Sequence, residues 1–140
     1  MSGIKNSESL EIPFGGWPSF HDAEGLFVAL DREGHDGYQG PTIETKIHVF
    51  DTTGEVDSQG FLVLLNHALV TLRFFNVEDF LAESFNHQNV VFGLEIHEIP
   101  DRQLEHRKFD VQFRSSFGLE MKFACEAVEV AQVEPYELHE

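Results

Sequence analysis

The densest set of side chains able to do chemistry lies in Phe14-Gly15-Gly16-Trp17-Pro18-Ser19-Phe20-His21-Asp22-Ala23-Glu24. It combines glycines, the lone tryptophan, a proline and three titratable groups: His21, Asp22 and Glu24. Segments that join backbone punctuation to such groups often carry function, because loops on a rigid scaffold present them to solvent. An imidazole and two carboxylates can ligate a metal or move a proton. Beside Trp17 as an aromatic anchor, they can instead grip a basic partner. A plainer reading is structural. Trp17 and Phe20 then plug one end of a sheet, and Asp22 bonds backbone amides to fix the turn into a strand.

In a metal site, His21, Asp22 and Glu24 could be joined as ligands by His67, His87 and His97. No spacing diagnoses one: there is no His-Glu-x-x-His, no paired cysteine motif and no calcium loop. The expectation is therefore no metal and no cofactor. Nucleophilic catalysis has as little support. Cys125 alternates with Leu119, Met121 and Phe123 on an apolar face and reads as a buried, inert thiol. Neither a G-x-S-x-G elbow nor a glycine-rich phosphate loop is present. No enzyme is expected, with one alternative kept: a small enzyme or metal-dependent binding protein using His21-Asp22-Ala23-Glu24. A second polar cluster, Phe85-Asn86-His87-Gln88-Asn89, suits a turn held by side-chain amides. Alternatively, Asn86, His87 and Asn89 lie beside Trp17–Glu24 and extend one recognition surface.

The elements that must position these groups read as strands. Period-2 alternation puts Ile43, Ile47 and Val49 on one face and Glu44, Lys46 and His48 on the other. Phe109, Val111 and Phe113 alternate with Lys108, Asp110, Gln112 and Arg114. Leu119, Met121, Phe123 and Cys125 repeat the pattern, and Ser115-Ser116-Phe117-Gly118 fits a hairpin loop between the two runs. Glu24 to Asp31 predicts a first strand with Leu26, Val28 and Leu30 inward. Phe61 to Leu65 and Leu69 to Phe75 predict two strands or one bent one, and Val90 to Ile99 another, stopped by Pro100-Asp101. At Asn76 to Phe85 the spacing of Val77, Phe80, Leu81 and Phe85 favours a short helix capped by Asn76, with an irregular edge strand as the alternative. The fold class is therefore mainly β, a sandwich or strongly curved sheet of antiparallel strands with one or two short helices.

The 140 residues suit a single domain, 1–140, with an ordered core of about 11–134 and frayed, aperiodic termini. Fourteen phenylalanines and a 41% apolar content supply a core without staples. One cysteine forbids an internal disulfide and points to a reducing cytoplasm. Neither a signal peptide nor a membrane-spanning run is read in the sequence. Twenty-five acidic against nine basic residues give a net charge of −16, which repels nucleic-acid phosphates and anionic lipid. That charge keeps a protein soluble, and it also speeds encounter with a basic partner.

The run Trp17-Pro18-Ser19-Phe20-His21-Asp22-Ala23-Glu24 resembles the N-terminal signature of the immunity protein 50 family. Leu69-Val70-Thr71-Leu72-Arg73-Phe74 and Phe85-Asn86-His87-Gln88-Asn89-Val90 are similar to later segments of that family, so the likeness spans about residues 14–99. The resemblance implies a cytoplasmic, non-enzymatic protein of a bacterial polymorphic toxin system that binds a cognate toxin. A β domain assembling only with itself, as in a homodimer, remains the alternative.

Overall fold

The computed structural model describes residues 3–56, 58–59, 62–100 and 106–136. One helix, α1 (Glu8–Phe14), precedes eight strands: β1 (Glu24–Asp31), β2 (Thr42–Val56), β3 (Leu62–Phe75), β4 (Glu78–Glu83), β5 (Val90–Glu98), β6 (Phe109–Phe117), β7 (Glu120–Cys125) and β8 (Ala127–Pro135). The strands form one antiparallel sheet in the order β4-β7-β6-β5-β1-β2-β3-β8. Its middle is narrow. β5 meets β1 at one register pair, Glu24 with Val90, whereas β2 and β3 pair over most of their length. The sheet curls so that β3 faces β6 and β7. Phe74 of β3 meets Phe113 of β6 edge-on at 6.1 Å and Phe123 of β7 at 4.9 Å, so one aromatic cluster fills the space between. The mainly β expectation holds.

Alternation explains the best-formed hairpin. Phe109 faces Cys125, Val111 faces Phe123 and Phe113 faces Met121 across β6 and β7, and all six are buried. The connection is tighter than the expected Ser115–Gly118 loop. β5 continues to pair beyond β7, with Val91 opposite Ser115 and Val90 opposite Phe117, so β6 runs on to Phe117. Gly118 then turns the chain at φ +95°, and a Cβ there would come within 2.9 Å of the Asn89 backbone.

Four expectations are corrected or refined. The N-terminus is held down: Ile4 and Leu10 are buried, and Lys5 exchanges backbone bonds with Val128 and Val130 of β8. A strap anchored at two separated points has no period, so alternation could not reveal it. Pro135 and Tyr136 are likewise paired, with Ala68 and His67. In β1, Val28 packs on the core, but Leu26 and Leu30 are exposed. A register shift between Gly25 and Phe27 rotates the strand, and little covers its far end. At Asn76–Phe85 the chain forms edge strand β4 against β7, not a helix. Its helix-like spacing comes from irregularity: Asn76, Asp79 and Ser84 all have positive φ, and the register slips between Glu78 and Leu81. β3 is one strand through Asn66-His67, while Phe61 and Asp101 lie outside the described residues.

Cys125 is fully buried in β7, and burial pushes its thiol up to about 12 from an ordinary 9.0. Native protein should therefore resist alkylation at pH 8, becoming labelled only in denaturant. The linkage sign follows. Above pH 9 the unfolded thiol ionises while the folded one keeps its proton, so stability should fall between pH 9 and about 12. Denaturation curves across that range should decline less steeply in Cys125→Ala. An unchanged slope would remove the thiol from the alkaline decline.

Candidate functional site

α1 ends on Gly15 at φ +70°, and the Gly16 N–H caps the Glu11 carbonyl at 2.8 Å. That stop delivers Trp17 to the core. Trp17 is half-buried and packs on the core, with its ring 5.7 Å from that of buried Phe20. The Ser19 hydroxyl oxygen accepts the His21 N–H at 3.3 Å within the following turn. His21 and Asp22 stand outside it, 54% and 62% exposed, with Nε2 and Oδ2 3.7 Å apart. Asp22 takes φ +67°, and its N–H donates to the Val91 carbonyl at 2.8 Å.

That bond begins the narrow β1–β5 joint. Val91 N–H donates to Ala23, and Gly25 N–H to Asn89. Asn89 completes it from beneath. Its buried Oδ1 accepts N–H groups from Asn86 at 2.8 Å and Leu119 at 3.2 Å, and its Nδ2 donates to the Gly25 carbonyl at 3.2 Å. One amide thus ties β1, the loop before β5 and the β6–β7 turn together. Asn86 Oδ1 accepts the Gln88 N–H at 2.8 Å, while Asn86 and His87 themselves are exposed. The fold therefore brings the two polar segments together at one joint. His21, Asp22, Asn86 and His87 face solvent there, Trp17 is partly covered, and Asn89 is a support.

Glu24 turns elsewhere. Its Oε1 lies 2.9 Å from Nδ1 of His48, and Nε2 of His48 lies 2.9 Å from Nδ1 of His67. A carboxylate accepts, so His48 Nδ1 carries hydrogen, and its Nε2 shares the next one with His67. His48 is buried, and Tyr136 covers it at 4.2 Å between ring centroids. Alternation placed His48 on the polar face with Lys46. Only strand register, which sets Glu24 opposite His48, could have exposed this carboxylate–imidazole–imidazole line. Such a line can hold or pass a proton between the half-exposed Glu24 and His67.

The candidate metal ligands do not gather around one point. Glu24 engages His48, His21 faces Asp22, and His97 stands 3.8 Å from Glu95. Among the described residues, no three His, Cys, Asp or Glu side chains converge as a ligand set. No described helix is long and apolar enough to cross a membrane. A family model described as Immunity protein 50 matches residues 6–136 of the chain. No curated protein and no solved structure matches it.

Proposed function

Because this chain belongs to the immunity protein 50 family, we propose that it neutralises a cognate, basic bacterial toxin by stoichiometric binding in the cytoplasm. The observation that carries this reading is the joint at which Trp17–Glu24 and Asn86–Asn89 come together, on a protein of net charge −16. Half-covered Trp17 offers an aromatic edge, and Asp22 offers a carboxylate for Arg or Lys of the toxin, while Glu24 is turned to His48. His21, Asn86 and His87 add polar contacts that adapt to the partner, and Asn89 keeps the surface in shape. The role requires no chemistry. Binding alone would block the toxin's active surface or a movement it needs.

Capture from the native organism, followed by identification of the bound protein, tests the reading directly. A basic toxin is expected, bound one to one. Its association rate should fall steeply as salt passes about 0.15 M, where screening acts over roughly 8 Å, while dissociation changes little. Asp22→Asn is the informative variant, since asparagine tolerates a left-handed backbone and only the charge is lost. It should keep the parent melting temperature. If Asp22 is a hot spot, affinity should fall by about 2 kcal/mol. Trp17→Ala is expected to weaken binding too, but also to lower stability, because the ring packs on the core. An Asp22→Asn protein binding the captured toxin as tightly as the parent would remove Asp22 from the interface. Failure to capture any toxin would sink the proposal.

A further inference from the structure

β1 is paired with β2 as far as Asp31, but among the described residues its other side is paired only at its start. From Leu26 to Asp31, alternate backbone groups on that side lack a strand partner. Among the described residues β4 ends the sheet and pairs only with β7, and no register pair joins it to β1. Between the end of β1 and the start of β4 opens a groove of about 430 Å³, lined by Leu30, Ile43, Val77 and Phe80 among others.

Six large hydrophobics are exposed among the described residues, and all but Ile12 lie on β1, on β4 or just after it: Leu26, Phe27, Leu30, Leu81 and Phe85. The charges on these two strands are of one sign. Glu24, Asp31, Glu78, Asp79 and Glu83 lie on them, with no basic residue; from other elements His48 meets Glu24, His35 meets Asp31, and Arg107 meets Glu78 and Asp79. The edges differ in regularity. β4 is broken by left-handed Asp79 and a slipped register, as edge strands are when they must not recruit partners. β1 has its one irregularity between Gly25 and Phe27 and is regular from there to Asp31.

We propose that the open edge of β1 takes up an extended segment of a basic partner protein as an added strand. Apolar side chains of that segment would enter the groove at Leu30, and alternating Lys or Arg would meet the carboxylates. A second copy of this chain is the poorer occupant, since pairing β1 with itself sets acidic strand against acidic strand. The inference rests on the toxin-binding reading and specifies how the toxin is held.

The test uses the full chain and a capped octapeptide of alternating valine and lysine, followed by amide hydrogen exchange. Alternate amides between Leu26 and Asp31 should slow by about tenfold or more when peptide binds. N-methylation along one edge of the peptide should abolish this. Leu30→Glu should weaken binding by about fivefold or more, although it adds negative charge that simple attraction would reward. Tighter binding by Leu30→Glu, undiminished binding of the N-methylated peptide, or no protection of β1 at millimolar peptide would each overturn the proposal. So would the same protection arising from dimerisation without peptide. No toxin enters this experiment, so the two readings fail separately. Toxin capture with β1 amides unchanged would end the edge proposal alone. Peptide uptake on β1 without any toxin capture would end the immunity reading alone.

Discussion

Phe113→Ala should destabilise the protein by about 3–5 kcal/mol, the cost of deleting a buried ring and leaving its cavity. The ring is only 3% exposed, and it lies between its β7 neighbour Met121 and the edge of Phe74 from the opposite half of the sheet. It therefore supports the hairpin and also ties the two halves together. Since a domain of this size has only about 5–15 kcal/mol in hand, the alanine variant should sit near the limit of folding. Phe113→Leu, which keeps more of the volume, gives a graded second point. Urea denaturation of both variants supplies the measurement. A loss within about 0.5 kcal/mol for the alanine variant would place the ring at the surface. Phe74→Ala should combine with it non-additively, because the two rings share one contact.

Asn89→Ala should cost about 3 kcal/mol or more, for a different reason. The substitution leaves the Asn86 and Leu119 N–H groups and the Gly25 carbonyl without their side-chain partner. Each buried polar group so orphaned costs about 1–3 kcal/mol. Asn89→Asp keeps both acceptor bonds but sets a buried carboxylate oxygen against the Gly25 carbonyl, so it should also destabilise, and more at neutral pH than at acid pH. Exchange of the Gly25 and Leu119 amides should quicken in both variants, ahead of amides in β3. An Asn89→Ala protein as stable as the parent that no longer binds the captured partner would make Asn89 a recognition residue instead of a support.

Much of this was legible from residue order. Alternation located β6 and β7 because each buries one face and wets the other, a period-2 signal that survives without knowledge of neighbours. The two polar segments stood out by composition, and the fold joins them. What alternation could not supply was register. Glu24 reaches His48 through pairing of strands distant in sequence, and that contact separates Glu24 from its neighbours His21 and Asp22. β4 misled for a related reason. Its left-handed residues advance the chain irregularly, so Val77 and Phe80, three apart, both reach the core as they would on a helix. Leu26 and Leu30 of β1 looked internal because apolar alternation implies burial only where something lies on top.

The strap at the N-terminus has a kinetic meaning. Lys5 is bonded to Val128 and Val130, and β8 pairs along β3, so two segments far apart in the sequence depend on one another. During synthesis, β2 and β3 can pair as neighbours once they emerge. The strap has no docking site until β8 leaves the ribosome. Closing such distant contacts carries loop-entropy costs before it returns stability, which places folding among the slower β topologies, at about milliseconds to seconds. A chain interrupted before Ala127 would expose the long edge of β3 and release the strap. Partially made protein would then be a substrate for proteases and chaperones, and the yield of folded protein would track completed chains, not the rate at which translation begins.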